Sequence, residues 1–252
     1  MSGFFSHLFE IGGIIRIPIL YVLFLLLGVD DSILMHTTIG TSLAISLPAS
    51  LHMFLRQYRF WRVDYEGEKI TFLLKRWLPS LLVGGVLGIG AAKYVSSSFL
   101  AGIFIVVVLW ISIQAFVMRQ TSVLMEKFPN FAMFSIVAFV TGAISVLSGT
   151  TNILVNSVMR AFAYPGESSY MSAASGMVLT VVATIGYAVI GLGVAGRTPY
   201  SVGYIDVVAV FLCICGMFIA SRIGAKAGNP PWLNPFKKFL TDERDYDQLT
   251  RL

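Results

Sequence analysis

The chain has 252 residues, of which 56% are apolar and only 12% are charged, and its mean hydropathy is +0.80. About a quarter of the residues of a soluble domain are charged, so this composition excludes an ordinary soluble protein and indicates an integral membrane protein. The excess of 18 Lys and Arg over 13 Asp and Glu does not indicate nucleic-acid binding. The basic residues cluster beside apolar stretches, where the lipid bilayer and membrane orientation account for them.

Hydropathy predicts about seven membrane segments. A helix is expected for each, because an open sheet edge in lipid would leave backbone groups unpaired. Residues 99–118 carry no charge and have the length, about 20 residues, that crosses a hydrocarbon core of about 30 Å. We therefore predict an all-α polytopic membrane protein. Its predicted segments are residues 11–29, 37–55, 77–95, 99–118, 129–163, 169–195 and 204–222.

The first segment is predicted to be a broken or re-entrant helix. Gly12 and Gly13 come shortly before Pro18, and a proline removes a helical hydrogen bond and clashes with the preceding turn. Arg16 lies between the glycine pair and the proline. A cation at this place can face an anion or extend its side chain to the membrane interface, and both interpretations stay open.

The fifth segment is also predicted to break. Residues 128–159 carry no charge and are some ten residues more than one straight crossing needs. A helix that restarts in the middle would direct its free N–H groups and positive dipole end at the break, where an anion is the natural ligand. The alternative is that the hydroxyls bond carbonyls one turn back and allow close packing. The polar residues concerned, called here the polar cluster, are Ser148, Thr150, Thr151, Asn152 and Asn156.

The two halves of the chain share a pattern. "TTIGTS" at 37–42 resembles "SAASG" at 172–176, and "LGIGAAK" at 87–93 resembles "SRIGAK" at 221–226. Thr41 and Gly90 are separated by 49 positions, as are Ser175 and Gly224. This predicts a duplicated four-helix unit whose copies meet at a substrate site. The copies are residues 1–118 and 119–228, the second without its last span, and a polar tail follows at 229–252.

These motifs, in this order and duplicated, resemble the TauE/SafE family of sulfite and organosulfonate exporters. The matching stretches are "EIGGIIRIP", "TIGTSL" and "GVLGIGAAK", then "SGTTNILVN", "AASGMV" and "ASRIGAKAG", within about residues 8–228. The resemblance implies a multi-pass transporter of the cell inner membrane for a small sulfur-containing anion, and it implies no enzymatic step or cofactor. We also expect no metal. Family members usually have a longer first segment, glycine runs in both halves and one more span at the end.

The sequence therefore predicts a transporter that exports sulfite or an organosulfonate by alternating access between two repeats. The alternatives are an anion channel or uniporter, and a non-transporting membrane interaction protein. An enzyme is disfavoured, because no nucleophile, base and orienting group stand together and no metal-ligand spacing occurs. A second copy of the chain, in a homodimer, could cover the surface of the missing span. The predicted substrate-binding residues are Gly12, Gly13, Arg16, Thr41, Ser42, Ser148, Thr150, Thr151, Asn152, Asn156 and Ser175.

Overall fold

The computed structural model describes residues 2–64, 67–117, 131–162 and 165–226, which form eight α-helices and one short β-hairpin. The tail predicted at 229–252 lies outside the described residues. In the hairpin, β1 (Ser201–Val202) pairs antiparallel with β2 (Ile205–Asp206). The helices are α1 (Ser2–Leu26), α2 (Leu34–Asp64), α3 (Gly67–Ala92), α4 (Ser97–Val117), α5 (Phe131–Ser148), α6 (Thr151–Phe162), α7 (Pro165–Ile190) and α8 (Val207–Lys226).

Three of the described helices contain stretches long and apolar enough to cross a membrane. These stretches are Leu34–Tyr58 in α2, Ser97–Gln114 in α4 and Tyr170–Ile190 in α7. Shorter apolar stretches occur in α1, α5 and α8. The helical architecture is that of a membrane protein, while the count of seven crossing segments stays a prediction.

The prediction that the first segment is broken is wrong. α1 is continuous from Ser2 to Leu26 with Pro18 inside it. A proline removes one N–H donor and clashes with the carbonyl one turn earlier. A helix can accommodate both effects by bending, without ending. Ile17 and Leu20 on either side of Pro18 are buried, and this packing holds the helix together. The fifth segment does break, as predicted, between α5 and α6.

α2 and α7 form the centre of the molecule. Every residue of α2 from Leu34 to Ile45 is buried, and this helix packs against α1, α7 and α8. α7 packs against α2, α3 and α6. The two central helices therefore contact each other, and each of them packs against at least two further helices.

α3 and α5 lie in close contact because glycines face the opposite backbone. A Cβ at Gly142 of α5 would overlap the carbonyl oxygen of Leu81, and a Cβ at Gly84 of α3 would overlap that of Phe139. Within a bilayer, helices associate through packing rather than through the hydrophobic effect, so small residues at the contact are favoured. The glycines of α3 and α5 set the distance between these two helices.

We expect Gly142→Ala to destabilise the fold by about 1–3 kcal/mol, because the added methyl group must push α3 and α5 apart. The matched control is Gly102→Ala in α4, where an added Cβ meets no atom within 4 Å. That control should be neutral or stabilise the helix by up to about 1 kcal/mol. The thermal unfolding midpoint of each purified variant in detergent checks this, and equal midpoints would contradict the packing role.

Candidate functional site

The break between α5 and α6 is made by Gly149. Its φ of +69° is left-handed, a conformation that disfavours residues with a Cβ. The N–H of Thr150 donates to the carbonyl of Ser145 (3.1 Å), and the N–H of Gly149 donates to that of Val146 (3.4 Å). This pair of bonds is a Schellman motif, which ends a helix with its last carbonyls satisfied. α5 therefore ends in a defined turn.

α6 begins directly after this turn. The carbonyl of Thr150 accepts the N–H of Leu154 (3.0 Å), which makes Thr150 the N-cap of α6. The N–H groups of the first turn have no partner within the helix, and the positive end of the helix dipole lies at the same place. Thr150 and Thr151 are only 2% and 3% exposed. The interior of the protein therefore contains a helix N-terminus, a kind of position that favours negative charge.

The hydroxyls of the polar cluster hold the turn in place. Ser148 Oγ lies 2.7 Å from Thr150 Oγ1 and also donates to the carbonyl of Ser145 (3.3 Å). Thr151 Oγ1 lies 2.6 Å from Thr180 Oγ1 of α7. The first pair stabilises the turn itself, and the second pair ties the start of α6 to α7.

Arg16 of α1 lies along α2. Its Nε donates to Ser42 Oγ (3.1 Å), and its Nη2 donates to Ser46 Oγ. Where side chains are described, no carboxylate pairs with this partly buried cation. A guanidinium has five N–H donors, and these two bonds use two of them. Arg16 is thus a cation that α2 holds inside the protein.

Three serines on one face of α2 connect Arg16 with α6, and we call Ser42, Ser46 and Ser50 the serine ladder. Ser46 Oγ donates to the carbonyl of Ser42, and Ser50 Oγ donates to that of Ser46, each at 2.9 Å. At the far end, Asn152 Nδ2 of α6 donates to Ser50 Oγ (2.7 Å). The serines that bind Arg16 and Asn152 are therefore one helical turn apart, a rise of about 5 Å to 6 Å.

Ser46 and Ser50 are not among the residues predicted from the sequence. The signal that could have revealed them is a hydroxyl at every fourth position of α2, which places these groups on one face of the helix. α7 contains a corresponding row, each member 134 positions later, the offset that relates Thr41 to Ser175. The rows are Thr38, Ser42, Ser46 and Ser50 in α2, and Ser172, Gly176, Thr180 and Thr184 in α7.

The hairpin occupies the end of α2 and α7 next to this site. Thr41 Oγ1 accepts the N–H of Asp206 (3.0 Å), and the N–H of Tyr204 donates to the carbonyl of Tyr187 (3.2 Å). Gly40 leaves room for the backbone of the hairpin, because a Cβ at this position would lie only 2.7 Å from the carbonyl oxygen of Tyr204. In this conformation Thr41 holds the hairpin on α2.

Four other predicted residues lie away from the ladder. Asn156 Oδ1 accepts a bond from Ser172 Oγ of α7 (3.3 Å). Ser175 is fully buried, and its Oγ has no partner among the described residues. Gly12 and Gly13 lie in α1, about one turn before Arg16. The structure thus groups Arg16, Ser42 and Asn152 on the serine ladder and Ser148, Thr150 and Thr151 at the break.

Gly149→Ala should destabilise the protein more than Gly28→Ala. Both glycines have positive φ, +69° and +75°, so each substitution costs about 1–2 kcal/mol of backbone strain. A Cβ at Gly149 would also lie 3.1 Å from Ile39 Cγ2 and 3.2 Å from Ile17 Cδ1, whereas one at Gly28 meets nothing within 4 Å. Unfolding midpoints of the two variants in detergent measure the difference. An unchanged midpoint for Gly149→Ala would contradict the turn described above.

Comparison with known proteins supports the motif-based resemblance. A family model described as "Sulfite exporter TauE/SafE" matches residues 1–236. No curated protein and no solved structure matches the chain significantly. Members of this family are membrane transporters of sulfite and related sulfur compounds rather than enzymes. The chain belongs to the TauE/SafE sulfite exporter family.

Proposed function

We propose that the protein exports a small sulfur-containing anion, sulfite or an organosulfonate, across the cell inner membrane, which it crosses several times. Arg16 and the N-terminus of α6 both lie against the same face of α2, and this observation carries the proposal. Both are positive, and they come from different halves of the chain. Since a buried cation needs compensation, an anion between them would supply what the described side chains do not.

The donors suit an oxyanion. Arg16 has free N–H groups in a planar fork, which pairs with two oxygen atoms of one anion. Asn152 has one further N–H on Nδ2, and the first turn of α6 adds backbone N–H groups. The sulfite dianion and a sulfonate group both present several acceptor oxygens and no donor that this site would have to satisfy. Binding would involve no covalent change.

Equivalent contacts support a two-repeat arrangement. Arg16 of α1 bonds Ser46 of α2, and Thr151 of α6 bonds Thr180 of α7. Thr180 follows Ser46 by 134 positions, the offset between the two halves. α1 packs against α2, as α6 packs against α7. A ligand between α1 and α6 would contact both repeats, which is how transporters built from parallel repeats bind their substrates.

α2 is buried over its first three turns but exposed near its middle, and this difference supports alternating access. Residues from Leu34 to Ile45 are buried beside the hairpin, whereas Leu51 and His52 are exposed. A route along α2 would be closed at the hairpin end in this conformation. Transport would then require the hairpin end to open while the other end closes.

Anion binding tests the proposal. Sulfite or sulfoacetate should raise the unfolding midpoint of the purified protein, since a ligand at a hundredfold excess over Kd adds about 2.7 kcal/mol to the stability of the folded state. Arg16→Gln should abolish this shift because it removes the cation. Arg197→Gln, which loses a bond to the Val194 carbonyl in the loop after α7, is the matched control and should keep the shift.

The alternatives give different results. Folded protein that responds to none of sulfite, sulfoacetate, sulfate and chloride would contradict the proposal and favour a membrane interaction protein. Binding with uptake into proteoliposomes that saturates and is accelerated by anion on the opposite side supports alternating access. Uptake that does not saturate and shows no such acceleration indicates a channel.

A further inference from the structure

We infer that Ser50 is a positioning residue for transport: it fixes the Asn152 amide so that Asn152 and Arg16 act on the same anion. This inference rests on the proposed function, because it concerns the site at which the anion would bind. Ser50 lies outside the polar cluster and outside both motifs shared by the two halves. It is 2% exposed and belongs to the first half, whereas Asn152 belongs to the second.

The hydroxyl proton of Ser50 is already engaged. Ser50 Oγ donates to the carbonyl of Ser46 at 2.9 Å, and a serine has only one O–H donor. Its lone pairs remain, and one of them accepts the bond from Asn152 Nδ2 at 2.7 Å. Ser50 therefore has no proton for an anion. It can orient a donor that has one.

Asn152 is constrained on its opposite side as well. A Cβ at Gly176 of α7 would overlap Asn152 Oδ1, so this oxygen packs against the one residue type that leaves room for it. Oδ1 faces Gly176, and Nδ2 faces Ser50. If the amide were rotated by half a turn, Oδ1 would face the lone pairs of Ser50 Oγ, and two acceptors would oppose each other. The second N–H of Nδ2 thus has a fixed direction and is available to a ligand.

Ser46 acts on Arg16 in the same way. Its own proton goes to the carbonyl of Ser42, and its oxygen accepts from Arg16 Nη2. The ladder therefore holds one donor from each half of the chain, a single turn of α2 apart. A fixed separation of donors raises affinity because less conformational freedom is lost on binding.

A double-mutant cycle tests this inference. Sulfite affinity is measured by calorimetry on the purified full-length protein and on the variants Ser50→Ala, Asn152→Ala and the double variant. Each single substitution should weaken binding about fivefold, the equivalent of one lost hydrogen bond. The double variant should bind no more weakly than Asn152→Ala alone, because Ser50 acts only through Asn152.

The control is Ser112→Ala in α4, an exposed serine whose hydroxyl donates to the Val108 carbonyl one turn earlier (2.8 Å). It should bind sulfite as the unsubstituted protein does. Unchanged affinity in Ser50→Ala, or the same loss in the Asn152→Ala background, would overturn the positioning role while leaving anion binding intact. Failure of the unsubstituted protein to bind sulfite, sulfoacetate, sulfate or chloride would instead contradict the proposed function.

Discussion

The left-handed turn at Gly149 is the feature on which the rest of the site depends. It ends α5 and lets α6 begin two residues later, where Thr150 and Thr151 are both buried. A continuous helix would have satisfied these backbone groups internally, as lipid requires. The break leaves N–H groups of the first turn of α6 without helical partners. This one change of backbone conformation places a helix N-terminus inside the protein, and the proposed anion site depends on it.

The two halves supply positive potential in different ways. The first half keeps its helix intact through Pro18 and contributes a side-chain charge, Arg16. The second half contributes the end of a helix dipole and neutral donors from Thr151 and Asn152. In the proposed two-repeat arrangement the halves can differ in this way, because a guanidinium and a helix N-terminus both stabilise an anion. The proposed site is therefore asymmetric in its chemistry, although Ser46 and Thr180, which hold Arg16 and Thr151, occupy corresponding positions in α2 and α7.

The serine ladder shows how polar groups can be kept in an apolar helix at low cost. Ser46 and Ser50 bond the carbonyl one turn back, which satisfies their own protons. Their oxygens then accept from donors on other helices. In the proposed site, hydroxyl groups with this geometry would orient the donors without binding the ligand, a role that composition alone would assign to packing. The hairpin makes similar use of Thr41, whose oxygen accepts the N–H of Asp206.

The sequence by itself determined the membrane class, the family and the break in the fifth segment, because these depend on composition and on local residue types such as Gly149. It predicted a break at Pro18 as well, and there the packing of Ile17 and Leu20 preserved the helix. It could not pair Asn152 with Ser50, which lie 102 positions apart, nor seat the hairpin on α2. Only tertiary structure decided these contacts, since which hydroxyl meets which donor depends on how separate helices pack against one another.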